Sequence, residues 1–275
     1  MSVAPRILGI DVSCGGCLVG AMMSGMKVIG ALESSAKDIE CLTSNGIPCY
    51  LFEDPMDFSA VARTDVIFCC NRGPSSMDRL RAACRALSPR VLVVEGWQDL
   101  PLKVMEGFVE YRDVLSWDLL GCPIEDARTY VVAFKEDMKP PCRFPFPDSI
   151  GTEVLPKLDK APSSGLFLSP KEIESVRNRE TRNRKKGFRF GHKHLVKGKK
   201  CPRIPQGFYL YRHAVLVDDD NGMRRLSVPE IMRMMGMPDG WKLPSGIHDS
   251  YRMASTTSPT PVIKALLDEL MVWIG

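Results

Sequence analysis

Five short apolar runs divide the first 134 residues, and stretches of helical periodicity fall between several of them. Ile7-Leu8-Gly9-Ile10-Asp11-Val12 is the first and Lys27-Val28-Ile29-Gly30-Ala31-Leu32 the second. Asp65-Val66-Ile67-Phe68, Val91-Leu92-Val93-Val94 and Thr129-Tyr130-Val131-Val132-Ala133-Phe134 complete the set. Runs so short and so apolar read as strands covered on both faces. Asp78 to Leu87 and Pro101 to Gly107 read as amphipathic helices in the intervals. The alternation predicts an α/β fold with a doubly wound, Rossmann-like sheet that takes its ligands at the strand C-termini.

At 275 residues the chain has the size of one large domain plus one small one. Pro140-Pro141-Cys142-Arg143-Phe144-Pro145-Phe146-Pro147 breaks the pattern and marks the expected edge. The predicted division is a large cofactor and catalytic domain over 1–147, a small basic recognition domain over 148–250, and a return to the large domain over 251–275. Pro261 to Ile274 reads as the final helix, apolar on one face. Hydrophobic content of 44% and charged content of 25% are ordinary for a soluble protein. With no apolar run of about 18 residues and no secretory leader pattern at the N-terminus, the expected location is cytoplasmic or nucleoid-associated. Ten cysteines scattered over such a chain are expected to be reduced and mostly buried.

The net charge of +4 conceals a strong asymmetry. Arg177 to Lys200 holds eleven Lys/Arg against one acid, Glu180, a local +10 that leaves −6 for the remainder. A concentrated basic lobe on an acidic body predicts a polyanion-binding surface.

Two features mark a nucleoside pocket. The first strand ends in Asp11-Val12-Ser13-Cys14-Gly15-Gly16, where glycines let a ligand approach the backbone. Glu33, at the end of the second strand, is an acid placed to bind ribose hydroxyls. A Gly turn that only stabilises the fold is the alternative. Cys14 and Cys17 form a C-x-x-C, but no second pair completes a zinc site, so no metal is expected.

The last sixty residues are the most specific. Leu226-Ser227-Val228-Pro229-Glu230-Ile231-Met232-Arg233-Met234-Met235-Gly236-Met237-Pro238 is followed by Tyr251-Arg252-Met253-Ala254-Ser255-Thr256-Thr257-Ser258-Pro259-Thr260-Pro261. The pair resembles the closing motifs of the DNA cytosine-C5 methyltransferase family, a helix with a G-F-P-type turn and a Y-R-x-x-G-N-x-x-P segment. The resemblance implies the S-adenosylmethionine-dependent methyltransferase fold. It places Asp11, Cys14, Gly15, Gly16 and Glu33 at the cofactor, with Asp54 near the adenine.

In the resembling family a cysteine thiolate adds to C6 of cytosine while a glutamate acts at N3, and the base leaves the duplex stack. Val91 to Glu95 matches the family's strand ending in E-N-V, so Glu95 is the expected acid. The family's G-G-P-P-C-Q is replaced by Cys69-Cys70-Asn71-Arg72-Gly73-Pro74-Ser75-Ser76. Without gaps Gly73 falls at the cysteine; aligned on Gly-Pro, Ser76 does. Cys69 and Cys70 stand several residues early. Gly121 to Tyr130 resembles G-V-P-Q-x-R-x-R, with the second arginine kept at Arg128, Ile124 for the glutamine and Asp126 for the first arginine. Thr256 stands where the family has asparagine.

Leu168-Ser169-Pro170-Lys171 and the run from Arg177 to His192 resemble the opening of the family's recognition domain. Arg182, Arg184, Lys185, Lys186, Arg189, His192 and Lys193 are the expected DNA contacts. Three readings follow: a DNA-binding family member without standard methylation, acting as a partner subunit or with changed chemistry; an active methyltransferase using Cys69 or Cys70; and a binding module that has lost its cofactor.

Overall fold

The structure is a computed structural model that describes residues 3–53, 58–96, 100–187, 192–205, 215–219 and 222–274. In chain order the elements are β1 (Arg6–Ile10), α1 (Gly16–Met23), β2 (Lys27–Glu33), α2 (Ala36–Ser44), β3 (Cys49–Leu51), β4 (Val66–Asn71), α3 (Pro74–Leu87), β5 (Val91–Gly96) and β6 (Phe108–Ser116). They continue with β7 (Ile124–Glu125), β8 (Ala127–Lys135), α4 (Pro170–Lys185), β9 (Lys193–Val196), β10 (Cys201–Pro202), β11 (Val215–Asp219), β12 (Gly222–Arg225), α5 (Val228–Met234), α6 (Ile247–Thr256) and α7 (Thr260–Ile274).

Seven strands form one sheet in the order β3-β2-β1-β4-β5-β8-β6. The strands from β3 to β5 pair in parallel, while β8 runs against both of its neighbours. Strand order reverses between β1 and β4, which opens a crevice at the C-terminal ends of the strands. The apolar runs of the sequence are the inner strands. Their residues alternate between two cores, one on each face. Ile7, Val66, Phe68, Val91, Val93, Tyr130 and Val132 meet Leu18 of α1 and Ile263 and Leu266 of α7. Leu8, Ile67, Leu92, Val94 and Val131 meet Met77, Leu80 and Ala83 of α3.

Two expectations are corrected. Residues 101–107 form no helix: the segment is irregular, and the Glu110 carboxylate accepts from the backbone N–H groups of Val104 and Met105 at 2.8 and 2.9 Å. A strand that the apolar runs did not mark, β6, covers β8. It is an edge strand with Val109, Arg112, Asp113 and Val114 exposed, so its sequence carries no continuous apolar run. The helix expected over Asp78 to Leu87 begins earlier, at Pro74, and the final helix spans Thr260–Ile274.

Beyond β8, α4 packs through Val176 and Ile173 against Leu168, Leu216 and Met223. Here β9, β11 and β12 make a separate three-stranded sheet. Ser169 and Ser227 open α4 and α5 with reciprocal capping boxes to Glu172 and Glu230. All ten cysteines are free thiols and eight are buried, as the sequence led us to expect.

Candidate active site and nucleic-acid interface

Strand register assembles the polar centre. Cys70 of β4 is the register partner of Glu95 on β5, and Glu95 is in turn the partner of Tyr130 on β8. Arg128 lies two residues from Tyr130 and so shares its face. The four side chains meet beneath the start of α7. Arg128 Nη1 pairs with Glu95 Oε1, and Tyr130 donates to the same oxygen at 3.2 Å. Ser258 Oγ donates to Glu95 Oε2, and the Cys70 thiol donates to that oxygen at 3.5 Å. Arg128 also stacks over Trp117, 4.2 Å from the ring centroid. All of this is buried: Glu95 and Tyr130 are 0% exposed, Cys70 and Ser258 1%. Burial, with Glu95 beside it, holds the Tyr130 phenol well above its ordinary pKa, so it remains a donor.

Sequence reasoning therefore named Glu95, Arg128 and Cys70, and the structure brings them together. It missed Tyr130 and Ser258. The period of two from Arg128 would have found the tyrosine; Ser258 gave no signal beyond its place in the final motif.

The segment that replaces the family's nucleophile loop leads straight into α3. Gly73 is the N-cap of α3 with φ 151° and ψ −177°, a region open essentially to glycine alone. Ser76 is buried in the first turn of α3, where its Oγ accepts from the Arg72 N–H at 3.3 Å. That bond closes a turn and leaves Ser76 outside the Glu95 network. Cys69 faces the opposite core, among Leu8, Ile67 and Leu92, and burial pushes its thiol well above the ordinary value.

At the crevice, the turn after β1 places Asp11 (φ 54°), Ser13 (φ 59°) and Gly15 (φ 86°) in the left-handed region. Glu33 Oε1 accepts from the Ser13 N–H at 3.0 Å. Burial pushes the Glu33 carboxyl up to about 8, against the pull of Arg72. Asp11 receives both Nε and Nη2 of Arg79 on one oxygen, at 3.1 and 2.6 Å. Asp38 of α2 receives Arg252 Nη2 at 2.8 Å and faces Arg72 Nη1 at 3.9 Å. Buried Cys14, its thiol pushed up to about 12 by burial, points to the Met253 carbonyl. Cys14 and Cys17 join no cluster of potential metal ligands among the described residues. Asp54 lies outside the described residues.

The basic surface is α4. Arg177, Arg179, Arg182, Arg184, Lys185 and Lys186 are all exposed, and Arg182, Arg184 and Lys185 occupy the last turn, where cations suit the helix dipole. Among the described residues, no ion pair engages Arg182, Arg184, Lys185 or Lys186. His194 anchors the helix, with Nε2 3.0 Å from Glu180 Oε1 on α4 and Nδ1 2.9 Å from Asp218 Oδ2 on β11. Lys193 is exposed and His192 half-buried. Arg189 lies outside the described residues.

A mostly parallel sheet with its strand-end crevice, a Gly turn backed by Glu33, and the acid Glu95 near the end of β5 define a Rossmann-like methyltransferase fold. The family model for C-5 cytosine-specific DNA methylases matches residues 106–271, and the chain belongs to that family. It is 26% identical over 167 residues to the Type II methyltransferase M.NlaX of Neisseria lactamica, covering 60% of this chain and 53% of that protein. It is 25% identical over 170 residues to the Type II methyltransferase M.DsaV of Dactylococcopsis salina, covering 58% and 48%. The chain thus spans about half the length of these two relatives. Its fold superposes on the Dnmt2 methyltransferase of S. pombe with a TM-score of 0.73 at 14% identity, over 99% of this chain and 100% of that one.

The family is S-adenosylmethionine-dependent. The resemblance would set the cofactor against the Gly turn and Glu33, and in this chain the Ser13 N–H of that turn donates to Glu33 Oε1. The two glycines themselves are closely packed. A Cβ on Gly16 would lie 2.1 Å from the Ser258 carbonyl oxygen, and one on Gly15 would lie 2.8 Å from Leu42 Cδ2. The Gly16 N–H donates to Thr257 Oγ1 at 3.2 Å, and Trp241 Nε1 donates to the Cys14 carbonyl at 3.0 Å. The glycines make way for the protein's own chain, the Thr257–Ser258 segment and Leu42, and neither position admits a side chain.

Proposed function

We propose that this chain is a duplex-DNA-binding member of the cytosine-C5 methyltransferase family that does not carry out standard C5 methylation. One observation carries the reading. Both carboxyl oxygens of Glu95 are consumed by Arg128, Tyr130, Ser258 and Cys70 inside a sealed core. At the same time, the ungapped alignment sets at the nucleophile's position a glycine in a glycine-only conformation, and the Gly-Pro alignment sets there Ser76, buried in the first turn of α3. An acid so occupied has no free oxygen for N3 of a pyrimidine, and Gly73 has no group for C6. The role that remains is that of a regulatory or partner subunit, or of changed chemistry on an extruded base.

The exposed cations of α4 support the DNA side of the proposal, because unopposed Arg and Lys supply phosphate affinity without sequence choice. We assign the recognition role to 148–250, the cofactor and catalytic role to 1–147, and the return of the chain to 251–275.

A specific contact favours a second reading, an active methyltransferase: the Cys70 thiol lies 3.5 Å from Glu95 Oε2, so thiol and acid are neighbours as C5 chemistry requires. Tritiated-methyl transfer from S-adenosylmethionine to duplex DNA separates the two. We expect no incorporation above background. Robust incorporation that Cys70→Ser abolishes would overturn the proposal in favour of the second reading.

A further inference from the structure

The cofactor crevice contains one side chain whose bonding does not match its surroundings. Arg72 directly follows β4, and its backbone N–H is fixed by Ser76 Oγ at 3.3 Å. The guanidinium faces Asp38, and Glu33, Cys70, Asp38 and Asp11 are the groups that act on it electrostatically. Its best link is Nη1 to Asp38 Oδ2 at 3.9 Å, beyond hydrogen-bond reach, and Arg252 already holds the other Asp38 oxygen at 2.8 Å. Nε and Nη2 are enclosed and have no acceptor among the described residues. Arg79 shows the contrast: it comes to the same crevice and spends Nε and Nη2 on Asp11.

We infer that Arg72 is a displaceable stopper of the cofactor cradle, standing where the nucleoside end of S-adenosylmethionine would lie and swinging outward when that ligand enters. The inference rests on the cofactor reading of the crevice. Three observations carry it. The guanidinium faces Asp38 in the first turn of α2 at 3.9 Å, and the fields of Glu33 and Asp11, at the ends of β2 and β1, also act on it. Buried donors without acceptors are unfavourable, so departure to water costs little and restores their hydrogen bonds. The side chain is 27% exposed, so the way out is short. The exchange also conserves charge, because an arginine cation leaves three acids and a sulfonium cation arrives.

Binding calorimetry of the full chain with S-adenosylhomocysteine and with S-adenosylmethionine tests this on wild type, Arg72→Ala and Arg72→Met. Met keeps the volume of the stem, and so reports on the guanidinium if Ala disturbs folding in a thermal melt. A site competent only when the stopper is out has its affinity reduced by the fraction of time it is in, so both variants should bind about tenfold tighter than wild type. S-adenosylmethionine should gain more than S-adenosylhomocysteine, because the acids have lost their internal cation. Equal or weaker binding by both variants, with wild type binding measurably, would overturn the stopper and leave the cofactor reading standing. No binding by any of the three would overturn both.

Discussion

The hydroxyl of Ser258 donates to the carboxyl group of Glu95, 163 residues away in sequence, and ties the entry of α7 to the middle of the sheet. Glu95 thus acts as a structural keystone in this chain. Breaking a buried ion pair by removing one partner costs about 3–5 kcal/mol, and Glu95→Gln should destabilise the protein by that order in urea unfolding. Ser258→Ala removes one donor and should cost about 1–3 kcal/mol. DNA affinity should change in neither variant. A Glu95→Gln protein as stable as wild type would show that the network holds nothing together.

Gly73 gives a second prediction. The obvious repair, Gly73→Cys, puts a side chain on a residue with φ 151° and ψ −177°, at the N-cap of α3. The space around it is open, so the penalty is one of backbone conformation alone, about 1–3 kcal/mol. We expect a modest fall in denaturation midpoint and no gain in tritiated-methyl transfer. A methylating Gly73→Cys protein would mean that the loop opens easily and that only the thiol was missing.

The sheet was readable because both of its faces are covered, which leaves continuous apolar runs at β1, β2, β4, β5 and β8. β6, an edge strand with exposed residues on both faces, left no such run, and Pro101 to Gly107 has helical spacing but is drawn into a turn by Glu110. Family motifs pointed to Glu95 and Arg128 because strand position fixes both. Ser258 and Arg72 were not legible: their roles depend on which side chains face them across the fold, and spacing along the chain does not encode that. Asp11 also stands at the expected turn, but the sequence did not show that Arg79 would engage it.

Glu33 makes stability depend on pH. Its folded pKa, about 8, lies above the ordinary 4.5 because burial penalises the charged form. A raised carboxyl contributes stability that is complete below the unfolded value and is lost as pH rises through the folded one. Between about pH 4.5 and 8 the slope should approach roughly 1.4 kcal/mol per pH unit for this one group. Unfolding free energies measured across that window should fall with pH in the wild type and flatten in Glu33→Gln. A wild-type profile with no excess slope over the variant would mean that the buried carboxyl is not held protonated.

His194 acts in the same window with a smaller effect. Burial opposes its charge, and hydrogen bonds to Glu180 and Asp218 outweigh that, so its pKa lies above the ordinary 6.5. The stability it adds is full below that value and fades as pH rises through the folded pKa. Asp218 is 47% exposed, so solvent screening limits the contribution to about 1 kcal/mol or less. An NMR titration should give an imidazole pKa above 6.5, and Asp218→Asn should lower it. A ring that titrates at the ordinary value in both proteins would remove the link between α4 and β11.

The exposed cations of α4 can be counted by salt. Each phosphate neutralised on duplex DNA contributes about −0.9 to the slope of log affinity against log salt. Replacing Arg182, Arg184, Lys185 and Lys186 by Ala should weaken binding to unrelated duplexes to a similar extent. The slope should become shallower by about 3 to 4 units if all four meet phosphate. Folding should be unaffected, because the four side chains are exposed and α4 is held by Ile173, Val176 and His194. A loss confined to one DNA sequence would mean that these residues read bases, and an unchanged slope would move the DNA surface away from α4.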